Sequence, residues 1–118
     1  MADFSHRASW CVPEAGQNNG RTIMEIRVVA TIVAKKEFRA KVTEALLDVI
    51  EPSRQEVGCL QYELHQDLDT DGTFVFYERW ASEDALNQHN KTEHFQHFAK
   101  SLEGKLEELT IRRLKSLA

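Results

Sequence analysis

Two cysteines, two prolines and five glycines among 118 residues leave little from which to build a disulfide framework, a zinc cage or a phosphate cradle. Cys11 falls in a polar stretch and Cys59 in an apolar one, with no CxxC pair and no zinc spacing, so both read as free thiols. A glycine-rich dinucleotide loop is missing. No apolar run approaches the roughly 20 residues that cross a bilayer, and no basic segment followed by an apolar stretch opens the chain. The expectation is a cytoplasmic protein with no membrane partner. A basic stripe is also absent: 15 Lys and Arg stand against 19 Asp and Glu, for a net charge of −4. Nucleic-acid binding requires clustered cations that displace counterions, so nucleic acid is not an expected partner. What remains, 42% hydrophobic and 29% charged, suits one small soluble domain whose core would gain from a partner subunit.

Residues 1–23 lack a repeating apolar pattern and contain the loop-like run from Gly16 to Gly20, so they read as an N-terminal extension with no catalytic role. Phe4 and Trp10 are the residues that would pin it to the domain, and Met24 is an alternative start. The domain proper is expected over 24–118. Residues 26–34 are rich in β-branched side chains and predict a strand. Phe38, Val42, Ala45, Leu46, Val49 and Ile50 follow at helical spacing, and Pro52 makes the last turn irregular. Residues 59–65 and 74–80 alternate as two strands joined through the turn Asp69 to Gly72. Ser82 and Thr92 then cap two helices with a kink near Asn90, and residues 109–114 form the last strand. The order β-α-β-β-α-β predicts an α+β, ferredoxin-like antiparallel sheet with helices on one face. The other face, with Val29, Thr31, Val33, Val75 and Tyr77, would then be free to meet a second copy.

The chemistry-bearing residues concentrate after residue 73. An alternating strand puts Phe74, Phe76, Glu78 and Trp80 on one face, so a carboxylate and an indole share a wall with phenyl rings. His89 follows within the next helix and is the first candidate for a general base or proton shuttle, since its ordinary pKa of about 6.5 keeps a neutral fraction near pH 7. The plainer reading is a solvent-facing histidine at a helix end. Glu78 would orient a histidine or bind a substrate hydroxyl, or else be a structural carboxylate paired with Arg54 or a helix N-terminus. Trp80 would stack on substrate or fill the core. Tyr62, Phe74, Phe76, His94, Phe95 and Phe98 are the expected substrate-binding set: the four phenylalanines, with Trp80, would enclose a flat ring and shield its anion, Tyr62 would donate a hydrogen bond to a substrate oxygen or simply pack, and His94 would stand at the surface or the pocket edge. His94 and His97 lie three apart on a helix, without a carboxylate at useful spacing, and no metal site is expected. His65 falls on the opposite strand face as an interface or rim residue.

Residues 52–62, from Pro52 through Gly58 to Tyr62, then Phe76 to Trp80, then His89 to Thr92 with His94, Phe95 and Phe98, resemble the antibiotic biosynthesis monooxygenase (ABM) domain family, in particular its small quinol-monooxygenase-like members. The resemblance covers Met24 to about Leu114. It implies the dimeric α+β barrel and a homodimer. It also implies oxidation of quinols or polyaromatic phenols by molecular oxygen without flavin, haem or metal. The family includes haem-degrading enzymes, which use an asparagine on the first strand that residues 26–34 lack. It includes isomerases of small phosphorylated signalling sugars too, for which Lys35, Lys36 and Arg54 are the available cations. A non-catalytic dimeric module that binds aromatic ligands is the third reading.

Overall fold

The computed structural model describes residues 24–118, so the extension expected over 1–23, with Phe4, Trp10 and Cys11, lies outside the described residues. Strand β1 (Ile26–Ala34) buries every second residue, Ile26, Val28, Ala30, Ile32 and Ala34, as the pleat requires. It lies in the middle of a four-stranded sheet. Strand β3 (Thr73–Trp80) pairs antiparallel with one edge of β1 and strand β4 (Leu106–Leu114) with the other, while β2 (Cys59–Gln66) pairs with β3. The order β2-β3-β1-β4 is that of the expected ferredoxin-like fold, in which each helical crossover joins two parallel strands with a third between them.

A 3-10 turn (Lys36–Phe38) leads into α1 (Arg39–Asp48) and α2 (Ile50–Arg54). One helix with an irregular last turn was expected here; the chain instead breaks earlier, at Val49. Pro52 has no N–H to give the Asp48 carbonyl, and the ladder resumes when Ser53 N–H donates to the Val49 carbonyl at 3.2 Å. The second crossover holds α3 (Glu83–Lys91) and α4 (Glu93–Ser101). Ser82 caps α3 by accepting from Ala85 N–H at 3.1 Å, with Glu83 and Asp84 in the first turn. Thr92 divides the two helices, two residues beyond the expected kink. Its hydroxyl donates to the His89 carbonyl at 2.8 Å and accepts from Phe95 N–H at 3.2 Å, ending one helix and starting the next.

All the described helices press on one face of the sheet. Val42, Leu46, Leu86, Phe95, Phe98 and Leu102 join Val28, Ala30, Ile32 and Phe76 in a single core. On the other face Val29, Thr31, Val33, Val75 and Tyr77 are half-buried and outside that core. Glu25 sits at its rim, where hydrogen bonds from Arg79 (2.5 and 3.0 Å) and Arg27 (3.1 Å) hold its carboxyl down to about 2.

Gly58 ties β2 to α3. Its carbonyl accepts from Ala81 N–H at 2.9 Å, and a Cβ added to it would lie 2.3 Å from the Ala85 methyl. Gly58→Ala is therefore expected to destabilise the protein by about 1–3 kcal/mol through overpacking. Ala85→Gly alone should cost about 1 kcal/mol of helix propensity. Urea unfolding of the double variant should give a loss clearly smaller than the sum; strict additivity would rule out this contact as the cause.

Candidate active site

The alternation of β3 sends Phe76, Glu78 and Trp80 into the core, and all three are buried. Facing them on β2 is Tyr62, paired in register with Glu78 and itself 2% exposed. The α3 helix contributes Leu86 and His89, three residues apart on one face. His89 is only 1% exposed. The alternative of a solvent-facing helix-end histidine is thereby set aside: the Thr92 bond to its carbonyl ends the helix while the ring turns inward.

The imidazole is enclosed by rings. Trp80 lies 4.5 Å from it, centroid to centroid, at an interplanar angle of 33°; Phe95 is at 4.8 Å and Tyr62 at 5.6 Å. Its Nδ1 is 2.7 Å from Oε2 of Glu56, and Nε2 of His94 lies 2.7 Å from the same oxygen. Glu56 stands in the turn between α2 and β2, fixed by its N–H donating to the Ser53 carbonyl and its carbonyl accepting from Cys59 N–H, each at 3.1 Å. A carboxylate only accepts, so both rings donate, and the His89 proton is assigned to Nδ1 from this partner. Its Nε2 is then a lone pair. That atom is buried and has no hydrogen-bond partner among the described residues, a costly arrangement for an acceptor that has left water.

His89 and Glu78 line one cavity of about 20 Å³ between the sheet and α3–α4, with Tyr62, Phe76, Phe95, Asn90 and Ile111 in its wall. That volume suits one water-sized molecule. Asn90 and Ile111 are half-buried and form its outer side. Burial depresses the His89 pKa despite the pull of Glu56, so the ring is neutral at pH 7. Burial pushes the Glu78 carboxyl up to about 7, although Trp80 Nε1–H donates to it at 2.9 Å, and the Glu56 charge adds to the rise. Burial also raises the Tyr62 hydroxyl well above its usual value. Glu56 is less enclosed; burial works against its ionised form, but the hydrogen bonds from His89 and His94 help outweigh it and leave its pKa lowered. The site thus holds a neutral base and a carboxyl that titrates near neutrality on one small space.

Of the residues singled out from the sequence, His89, Glu78, Tyr62, Phe76 and Phe95 meet at this cavity, with Trp80 stacked behind His89. Phe98 packs one ring back, 6.1 Å from Phe76 and 5.7 Å from Phe95. Phe74 lies toward the other end of β3, opposite Ile32, and lines no part of the cavity. His94 joins the site through Glu56. His97 does not share that carboxylate, so the three-apart pair gives way to His89 and His94. Arg54, the suggested partner of Glu78, instead donates to the Tyr62 carbonyl at 3.0 and 2.8 Å. Glu56 was not among the residues expected at the site. Its only sequence signal is a carboxylate just before Gly58, 33 residues from the histidine it meets. Glu56, His89 and His94 offer ligand atoms within 4.8 Å of one another and are the described residues that could hold a metal ion.

An α+β domain with an imidazole buried between sheet and helices is the class these observations define. Residues 25–101 match the family described as Antibiotic biosynthesis monooxygenase, and the chain belongs to it. It is 38% identical over 69 residues to a Bacillus subtilis (strain 168) protein named "Putative monooxygenase YcnE", a match covering 58% of this chain and 73% of that one. It is 34% identical over 73 residues to sll1783 of Synechocystis, covering 62% of this chain and 50% of that protein, half its length. The solved structure of PA3566 from Pseudomonas aeruginosa superposes with a TM-score of 0.78 at 36% identity, over 84% of this chain and all of that one.

The raised Glu78 pKa links stability to pH. Between 4.5, the value without burial, and about 7 the folded protein binds the extra proton, so stability falls as pH rises through that window. Glu78→Gln keeps an acceptor for the Trp80 indole and carries no charge to bury. Relative to the unaltered protein it is expected to gain about 3 kcal/mol at pH 8 and almost nothing at pH 4. Urea midpoints at the two pH values measure this; an equal effect at both would show that Glu78 binds protons alike in the folded and unfolded protein and that burial does not raise its pKa.

Proposed function

We propose that this protein oxidises a quinol or polyphenolic aromatic with molecular oxygen, without a bound flavin, haem or metal, and that His89 Nε2 is the general base. The observation that carries the reading is that unpaired Nε2, presented by a neutral ring to an aromatic-walled cavity shared with Glu78. Triplet oxygen reacts slowly with closed-shell organics, and deprotonation of an electron-rich phenol or an anthrone-type carbon acid makes one-electron transfer to oxygen feasible. The atoms balance as follows. Substrate loses a proton to His89, the anion and oxygen combine into a carbon-bound peroxide, and loss of the remaining hydrogen of that carbon as a proton, with cleavage of the O–O bond, leaves a new carbonyl. The departing oxygen takes two protons and leaves as water. Glu78, poised near neutrality, can return one of them.

The aromatic wall suits a flat ring, which would enter by displacing the outer side at Asn90 and Ile111, since the closed cavity is smaller than such a ring. Tyr62, Phe76, Phe95 and Phe98 would contact or back it, with Trp80 fixing the base. A phosphorylated sugar is less well served. Among the described residues no Lys or Arg lines the cavity; Arg54 is on the Tyr62 carbonyl, and Lys35 donates to the Gly104 carbonyl at 3.0 Å. Solved structures titled as antibiotic biosynthesis monooxygenases share the fold, one at 30% identity and a TM-score of 0.75.

We also propose that two copies join through the open sheet face, where Val29, Thr31, Val33, Val75 and Tyr77 form an apolar row bordered by Arg79 and Glu25. Val29→Glu should convert a dimer to a monomer in sedimentation velocity; a monomeric unaltered protein would refute the assembly.

Metal-stripped protein given a panel of reduced quinols and anthrones should consume oxygen above the spontaneous rate. His89→Gln, which keeps most of the ring's volume, should lower that turnover by about 100-fold or more while the fold persists. Retained turnover in the variant would remove His89 from the chemistry.

A further inference from the structure

The buried base has a way out. His89 has one ring nitrogen in the cavity and the other on Glu56, whose same oxygen is also bonded to His94. Burial grades outward along this chain: the side chains of His89, Glu56 and His94 are 2%, 14% and 27% exposed. His94 in turn lines a separate groove of about 360 Å³ between α1 and α4, open to solvent, whose charged or titratable walls are Lys41, Glu44, Asp48, His97 and Lys105. Two spaces on opposite sides of one imidazole are thus joined by two hydrogen bonds of 2.7 Å.

Resting on the oxidation proposed above, we propose that Glu56 and His94 are the proton outlet of His89, carrying the proton it takes from substrate to the α1–α4 groove and bringing protons back. An imidazolium enclosed by Trp80, Tyr62 and Phe95 has lost its water and is held by Glu56 alone. Once Nε2 has accepted a proton, the Nδ1 proton moves to Oε2 of Glu56 and the ring is neutral again, with its lone pair now on Nδ1. His94, turned to the groove, releases its Nε2 proton to water there and takes one on Nδ1; turned back, it presents Nε2 as an acceptor, takes the proton from Glu56 and releases the Nδ1 proton to the groove, so that one proton in all leaves. The reverse passage resets the base. No bond other than N–H and O–H is made or broken, and no electrons move. Both are positioning residues, acting through His89 without touching substrate. The groups that face the chain and set its balance are Glu78 and Tyr62 from the sheet side and the five groove side chains from α1, α4 and the segment after it.

A carboxylate that only holds the ring and one that carries protons respond differently to Glu56→Gln. The amide oxygen still accepts from Nδ1, so nitrogen-15 shifts should show the His89 tautomer unchanged, but an amide takes up no proton. Solvent exchange of the Nδ1 proton, read by NMR without any substrate, is expected to slow about tenfold in Glu56→Gln and in His94→Ala. In oxygen uptake, His94→Ala should lose about tenfold in kcat at low buffer, with KM unchanged, and recover as imidazole is added to fill the vacated groove position. Unaltered exchange in both variants, or His94→Ala turnover equal to the unaltered protein's and independent of buffer, overturns the outlet. If the unaltered protein consumes no oxygen with any phenol, the proposed oxidation fails and the exchange measurement alone decides this inference.

Discussion

The 2.7 Å bond from His89 Nδ1 to Glu56 joins the turn after α2 to the last turn of α3, and much of the site follows from it. It fixes which nitrogen carries the proton, and therefore which nitrogen is free. It also sets the ring plane, because an imidazole tied at Nδ1 and stacked 4.5 Å from Trp80 has little room to rotate. Trp80 is held in its turn by donating to Glu78. Imidazole, indole and second carboxyl are thus parts of one network anchored at both ends, by the Glu56 turn and by the last residues of β3.

The network places its titratable groups at different depths, and depth decides their charge. Glu78 is deep with a single neutral donor, so burial wins and its proton is retained up to about pH 7. Glu56 is nearer the surface with two donors, so it stays an anion. Between them His89 is kept neutral by burial. A base that is uncharged at rest but sits beside a fixed anion has a place to share positive charge once it accepts a proton. The arrangement therefore lowers the cost of the charged intermediate without charging the resting site.

Periodicity made the fold readable, because each element obeys one rule along its length. β1 and β3 alternate without interruption, and Ser82 and Thr92 cap where their hydroxyls reach the third N–H onward. That rule also gave the inward set Phe76, Glu78 and Trp80, whereas the meeting of Tyr62 with Glu78 follows from the register of β2 against β3. It failed where a contact depends on how elements assemble. Glu56 lies in an irregular turn, where no period tells which way a side chain points, and its partners are 33 and 38 residues away. The His94–His97 pair looked like a unit because helix spacing is local, whereas the bond that matters to His94 crosses from α4 to the turn before β2. Phe74 obeys the alternation as well as Phe76 does, but distance along the strand, which a pattern of faces does not measure, takes it away from the cavity. Pro52 shows a smaller version of the same limit: its missing N–H acts on the residue four back, so the helix breaks at Val49 and not at its last turn.

Family membership fixes the frame and leaves the chemistry to the lining. Within this frame the difference between handling a phenol and handling a phosphate lies in where cations are held. Here Arg54 is consumed by a backbone carbonyl at the edge of β2, and Lys35 is tied to the turn at Gly104. Neither faces the buried base. The positive side chains that do come near the histidines, Lys41 and Lys105, line the outer groove with His94, where they border the outer end of the hydrogen-bonded chain and not its buried end. An apolar chamber and a charged groove, separated by one imidazole and one carboxylate, are what a reaction needs when it must keep water from an anion and still exchange protons with it.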